Sequence, residues 1–368
     1  MLDRRLSLMQ QALQRASLDA LALNPGPTMV HASGVAFHLM ERPVVFVIPA
    51  NGRPALILPE FERTKGETCP LRPTLFTYTE DPVSRAETFE AAARQLGLPG
   101  RRVGVEPLRM RVFELRLLEA AAPGAEFLSA EETITTLRVT KDEGEIDRMR
   151  RAVRAAEAAL EATIPSLRPG ITEREAAGEL TIQLLRAGSE SELPFSPIVA
   201  SGPNSALPHG LPTDRKLQRG DMLVIDWGAT VDGYVSDLTR TLAVGPVDPE
   251  LAKVHQIVLR ANEAGRAAVR PDIRAAEVDH AARQVIEAAG YGAYFTHRTG
   301  HGIGMEAHEP PYIRDDGPDL LEPGMTFTIE PGVYLPGRGG VRIEDNVVVT
   351  AEGCECLSRL PRELRGVR

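Results

Sequence analysis

Two pairs of carboxylates, each set on a run patterned as a β-hairpin, limit what this chain can fold into. In the first, residues 222–228 and 235–241 are rich in β-formers and flank Asp232-Gly233, a dipeptide suited to a tight turn that needs positive φ. With that turn, Asp237 falls opposite Gly228. Side-chain alternation then puts Asp226 and Asp237 on one face as diagonal neighbours. In the second, residues 327–332 and 340–346 flank Pro336-Gly337-Arg338-Gly339, and Glu330 and Glu344 are symmetric about Gly337. A regular hairpin would set these two glutamates face to face. Like charges this close, in otherwise apolar strands, repel unless a cation lies between them. Two such hairpins suggest an internal duplication in which each half supplies two carboxylates.

Between the hairpins lies the segment 297–310, with His297, His301 and His308 among Gly300, Gly302 and Gly304. The spacing of His297 and His301 would suit two ligands on one helical face. Three glycines, at about 1 kcal/mol each in a helix interior, argue against that helix. A glycine-rich loop or bulged strand that brings backbone close to a bound group fits better. His209 stands in a turn-rich loop, residues 204–210, before the first acidic hairpin; a lone loop histidine is ordinarily solvated. Four carboxylates and one histidine make an oxygen-rich set, which favours Mn²⁺, Co²⁺ or Fe²⁺ and can also take Zn²⁺. Bridging carboxylates allow two metals about 3.5–4 Å apart.

At 368 residues the chain is longer than one core usually supports. Two domains are expected, 1–135 and 136–368. The first reads as a small α/β unit. An amphipathic start carries Leu2, Leu6, Met9 and Leu13 on one face, a hairpin turns at Asn51-Gly52, helical runs cover 85–96 and 108–122, and 103–105 is a strand. A long charged helix over 142–164 and a second over 172–187 follow, the latter opened by the Thr172/Glu175 capping pattern. After residue 190 helices are expected to become rarer, while histidines, acidic residues and glycines concentrate. The net charge of -9 argues against nucleic-acid partners. No run approaches the roughly 18 apolar residues of a membrane span. The cysteines Cys69, Cys354 and Cys356 have no zinc-site spacing, and a reducing, cytoplasmic setting is the default expectation.

In order and context, Asp226, Asp237, His301, Glu330 and Glu344 resemble the five metal ligands of the M24 metallopeptidases, which share the pita-bread fold. The similarity spans about 140–355 and continues more weakly over 1–130, which resembles a creatinase-type N-terminal domain. Residues 297–309 resemble the proline-peptidase signature, with Ala307 in place of a bulkier aliphatic. The extra N-terminal domain, and a histidine four positions before His301, point to the prolidase and aminopeptidase P branch rather than to methionine aminopeptidases.

The resemblance implies an α/β N-terminal domain followed by an α+β pita-bread catalytic domain with an internal pseudo-twofold repeat. It also implies two divalent metal ions per subunit, Mn²⁺ foremost with Co²⁺, Zn²⁺ or Fe²⁺ as alternatives, and a homodimer. Asp226 and Asp237 would bind one metal and His301 the other, with Asp237, Glu330 and Glu344 connecting them. Glu330 would accept the proton of the attacking water, and His308 would stabilise charge on the carbonyl oxygen. His209 and His297 would lie on the proline side, and Arg342 would orient the acidic groups beside the substrate. The implied substrates are small peptides with proline in second place. Xaa-Pro dipeptides are favoured over longer peptides because the chain is short for the branch. A dipeptidase needs a cation for the substrate carboxylate, for which Arg298, Arg338, Arg42 and Arg63 are candidates. A methionine aminopeptidase, or a non-catalytic binding protein on the same scaffold, is the remaining alternative.

Overall fold

A computed structural model describes residues Leu2–Val367, and the chain divides into two units, Met1–Arg138 and Val139–Arg368. The first unit is built on a six-stranded sheet in the order Thr74–Tyr78, Ala55–Pro59, Val45–Pro49, Ala20–Leu23, Arg102–Val105, Glu126–Ser129. Its central strand is buried on both faces. Leu21 and Leu23 pack with Met9 and Leu13 of the helix Leu2–Arg15, while Ala20 and Ala22 pack with Phe89 and Leu118 from two other helices. An apolar strand with no polar face requires this covering of both sides. The Asn51-Gly52 turn joins Val45–Pro49 to Ala55–Pro59, with Gly52 at φ 100.

The second unit opens on the helix Glu143–Thr163. Asp142 and Glu145 close its first turn by reciprocal side-chain and backbone bonds, and Thr172 and Glu175 do the same for Glu173–Arg186. These boxes satisfy N–H groups that the first turn of a helix leaves without partners. Both helices share an apolar core with a four-stranded sheet, ordered Arg365–Val367, Leu238–Val244, Met222–Trp227, Ile198–Ser201. Trp227, fully buried, donates its indole N–H to Ala156 O at 2.8 Å. Tyr234 donates to Glu145 at 2.6 Å. The first acidic hairpin is thereby tied to the long helix.

Helices do become rarer after residue 190, but two long ones went unread in the sequence. Two long ones, Pro249–Ala268 and Ala275–Ala288, repeat the helix pair of the first half. Their buried apolar positions include many alanines, and polar His255, Asn262 and Asp279 are buried among them, so the 3.6-residue apolar pattern is diluted. The polar residues have structural work. Asn262 donates to Ile329 O and Ile343 O, on both arms of the second acidic hairpin, and Asp279 accepts from the Thr299 backbone. The accompanying sheet runs Glu309–Ile313, Gly300–Gly302, Thr326–Ile329, Asp345–Val349, Cys354–Cys356. No described helix is long and apolar enough to cross a membrane.

Close backbone approach explains the glycines of the 300–304 segment. A Cβ on Gly300 would lie 1.9 Å from Thr328 O, and one on Gly302 2.1 Å from Pro310 O. At helical Gly178 a Cβ would meet nothing within 4 Å. Gly300→Ala is therefore expected to destabilise the second unit by about 1–3 kcal/mol. Gly178→Ala should stabilise it by about 0.8–1 kcal/mol. Urea midpoints for the two variants test this, and equal shifts would contradict it.

Candidate metal centre

The first hairpin closes at Asp232 and Gly233, at φ 48 and 73, and keeps one register, with Tyr234 opposite Val231 and Thr239 opposite Asp226. Gly228 lies where the ladder is interrupted, and a Cβ there would be 2.1 Å from Ser236 O. The second hairpin also keeps a single register, with Gly332 opposite Arg342 and Ile329 opposite Asp345. Glu330 and Glu344 do not face each other across an unbroken ladder, as symmetry about Gly337 suggests. They occupy the break between two ladders, and their backbones turn to other partners. Glu330 N–H donates to Thr299 O at 2.8 Å, toward the His301 strand, and Glu344 N–H to Thr239 O at 3.1 Å, on the first hairpin. Asp226, Thr239 and Glu344 consequently lie in one row across three strands.

This joining brings the predicted residues together. Donor atoms of Asp226, Asp237 and Glu344 lie within 4.8 Å of one another, as do those of His301, Glu330 and Glu344, and those of Asp237, His301 and His308. The charges oppose each other. Burial, then the charges of Glu344, Asp226 and Glu330, push the Asp237 carboxyl well above the carboxylate range. Burial, then Glu330 and Asp226, do the same to Glu344. Glu330 is pushed up to about 8, chiefly by burial, with Arg342 opposing and Asp226 adding to the rise. Asp226 Oδ1 is buried without a hydrogen-bond partner.

His301 completes the set. Its Nδ1 faces Gly302 O at 3.2 Å; a carbonyl can only accept, so Nδ1 carries the hydrogen and Nε2 presents a lone pair. Nε2 lies 3.4 Å from Glu330 Oε1 and 3.6 Å from Asp237 Oδ2. Burial, then His308, hold its pKa well below the usual value, so the ring is neutral. A neutral lone pair and four acidic groups converge on one volume. That donor set fits divalent cations bound mainly by oxygen.

A hydrogen-bonded shell orders the carboxylates. Arg342, buried, donates to Asp226 Oδ2 at 2.6 Å, Thr239 Oγ1 at 3.1 Å, Tyr334 OH at 2.8 Å and Pro208 O at 3.1 Å. Four of its N–H bonds are spent on these groups, and through Asp226 it acts on the acidic cluster. Thr239 donates to Glu344 at 2.6 Å. His297 Nδ1 donates to Arg298 O at 2.7 Å, which leaves Nε2 to accept from Tyr334 at 2.9 Å. His297, Tyr334 and Arg342 thus form one chain ending on Asp226. Burial, with a small contribution from Arg342 and His209, lowers the His297 pKa to about 4. Exposed His308 sits with its ring centroid 4.1 Å from that of His301, its pKa lowered by burial, then by Arg298 and His209. His209 therefore acts on both rings from its loop.

Tyr334 and Thr239 were missed in reading the sequence. The signal for Tyr334 lay in the hairpin register, which puts it opposite Gly340. A Cβ on Gly332 would lie 2.5 Å from the Tyr334 hydroxyl, and one on Gly340 2.8 Å from its ring, so both glycines make room for the tyrosine. Of the candidate arginines, Arg42 and Arg63 pair with Glu80 and Glu60 inside the first unit. Arg338 pairs with Asp248 at 3.1 Å and Glu250 at 2.5 Å. Arg298 makes no ion pair among the described residues; it stacks 4.6 Å from the Tyr312 ring centroid.

Comparison with known proteins gives the same reading. Residues 147–351 match metallopeptidase family M24, and residues 5–140 match the creatinase/prolidase N-terminal domain. The Xaa-Pro dipeptidase of Pyrococcus furiosus is 41% identical over 239 residues, 65% of this chain and 68% of that protein. A crystal structure of a dipeptidase from Pyrococcus horikoshii superposes with a TM-score of 0.93 at 36% identity, over 99% of this chain and 100% of that one. An Xaa-Pro dipeptidase from Bacillus anthracis superposes at 0.92 and 31% identity, over 100% of both. With its acidic hairpins, its glycine-rich histidine segment and its pita-bread unit behind a creatinase-type N-terminal domain, the chain belongs to metallopeptidase family M24.

Proposed function

We propose that this metallopeptidase hydrolyses the Xaa-Pro bond of dipeptides. The convergence of four acidic groups on the His301 lone pair carries the metal-dependent part of this reading. The named activities of the Pyrococcus furiosus and Bacillus anthracis relatives support the proline part. Family membership implies divalent metal ions. Asp226, Asp237, His301, Glu330 and Glu344 are the residues that would hold two of them, Mn²⁺ being the proposed choice for so oxygen-rich a set. Such ions lower the pKa of water and polarise a carbonyl.

The remaining work falls to side chains. Glu330 takes the proton of the attacking water. His308 donates to the carbonyl oxygen as charge develops there. The leaving proline nitrogen needs a proton as the bond breaks, and exposed His209 is the group assigned to that side. His297, Tyr334 and Arg342 hold Asp226 in place. Arg298, with no acidic partner among the described residues, is assigned to the substrate carboxylate.

Three outcomes test this reading. Chelation should abolish activity and Mn²⁺ restore it. His308→Ala should lower kcat by roughly 10²–10³ with metal retained, whereas His301→Ala should lose metal. Elemental analysis beside the rates decides, and equal metal content with equal rates would refute the roles.

The second outcome concerns pH. Folded, metal-free protein keeps a proton on Glu330 up to about pH 8, against an ordinary value of 4.5. Between those values the unfolded state binds fewer protons, so stability falls as pH rises through that window. The Tm of chelated protein should decline across that window, and added Mn²⁺ should cancel the decline; a flat Tm in chelated protein would count against the cluster.

The third outcome is substrate length. A guanidinium–carboxylate bond contributes about 1.5–3 kcal/mol, roughly ten- to hundredfold in selectivity, and a third residue moves the carboxylate by about 3.5 Å. Ala-Pro should be cleaved better than Ala-Pro-Ala, and Arg298→Ala should erase the difference. Equal or faster tripeptide cleavage by the wild type would mean an aminopeptidase P.

A further inference from the structure

Glu173 is a carboxylate that the proposed reaction does not use, and it is fully buried. It begins the helix Glu173–Arg186, and five donor groups from one loop converge on it. Oε1 accepts from Ser201 N and Ser201 Oγ, both at 2.7 Å, and from Asn204 Nδ2 at 3.2 Å. Oε2 accepts from Asn204 Nδ2 at 3.1 Å, Thr213 N at 3.0 Å and Thr213 Oγ1 at 2.6 Å. Burial opposes its ionisation, but the Thr213 and Ser201 donors outweigh that effect and hold its pKa below the ordinary value. A charge that is desolvated and bonded on both oxygens is a rigid anchor, because losing one partner leaves buried donors unsatisfied.

The anchored residues bracket a single loop. Ser201 ends the strand Ile198–Ser201, Asn204 lies in the 3₁₀ turn Gly202–Ala206, and Thr213 stands where the loop returns. The loop's other side rests on the metal-centre hairpin. Gly340 N donates to Ser205 Oγ at 2.8 Å, and Arg342 donates to Pro208 O at 3.1 Å. At its apex, next to Pro208, is His209, exposed and with no hydrogen bond to its ring among the described residues. Leu207 and Leu211 on either side of it are 60% and 72% exposed. The imidazole and the Leu207 and Leu211 side chains face solvent. The place of His209 is set by the loop backbone, and the loop is pinned at both feet by one carboxylate.

We infer that Glu173 is a positioning residue for the reaction, setting His209 beside the metal centre by clamping both ends of the Ser201–Thr213 loop. This rests on the reading of His209 given under Proposed function. Glu173→Gln keeps the shape but turns one accepting oxygen into a donor that faces other donors. A misplacement of about 1 Å can cost on the order of 10²-fold in rate, so kcat/KM for Ala-Pro should fall roughly ten- to hundredfold, with metal content unchanged.

The test is a double-mutant cycle with His209→Ala, together with hydrogen exchange on metal-loaded protein. Expected are faster exchange across residues 202–213 in Glu173→Gln and a double variant no slower than His209→Ala alone. Thr213→Val, at an exposed position, should give a smaller effect in the same direction should Glu173→Gln fold poorly. Wild-type exchange over 202–213 in Glu173→Gln, or additive losses in the cycle, overturns the inference. A fully active His209→Ala overturns the assignment of His209 and with it any catalytic consequence of the clamp, while the exchange result separately shows whether Glu173 orders the loop.

Discussion

The mutual repulsion of four crowded acidic groups is the constraint to which the rest of the second unit answers. Asp226, Asp237, Glu330 and Glu344 crowd into a volume where burial already disfavours charge, and Asp226, Glu330 and Glu344 raise the proton affinity of their neighbours. Such an arrangement destabilises a fold unless positive charge is supplied. Arg342 supplies part of it, fully desolvated and bonded to Asp226. The lone pair of neutral His301, aimed at the same carboxylates, adds no positive charge and increases the need for a cation.

Holding that cluster requires a stiff frame, and the frame is made where the two hairpins meet. Glu344 pairs its backbone with Thr239, so the acidic residues of the two halves share one row of strands. Next to this junction Arg240 donates to Glu344 O, Asp345, Leu360 O and Pro361 O, which binds the first hairpin to the chain that follows the second. Asp345 is fully buried yet kept below the usual carboxylate value; burial works against it, and Arg240 and Arg362 overcome that. One buried carboxyl compensated by two arginines thus stands beside Asp237, Glu330 and Glu344, whose carboxyls are pushed upward. The contrast separates a structural ion pair from a site built to receive metal.

The helices act on this frame through polar anchors as well as apolar packing. Trp227 and Tyr234 bond to the first helix pair, Asn262 and Asp279 to the second hairpin and the segment leading to His301. Lys141, at the start of the unit, forms a buried ion pair at 2.6 Å with Glu309, directly after His308. Gly304 has no side chain because one there would strike both members of that pair. The His301–His308 segment is therefore held by backbone approach at its glycines and by a charge pair at its end.

The acidic hairpins were legible in the sequence because strand alternation and turn chemistry are local rules. Asp232-Gly233 and the symmetry about Gly337 determine register, and register determines which side chains share a face. The glycines at 300, 302 and 304 likewise excluded a helix before any coordinates. Three things were decided only by the tertiary structure. The backbones of Glu330 and Glu344 pair with long-range partners, Thr299 and Thr239, instead of with each other. The helices Pro249–Ala268 and Ala275–Ala288 were hidden because alanine-rich faces and buried polar anchors weaken the apolar period. The clamp of Glu173 on the His209 loop joins residues up to 40 positions apart, and no local pattern encodes it. Local stereochemistry reaches only a few residues along a chain. Which buried charge meets which donor is settled when distant segments pack and each desolvated group must find a partner.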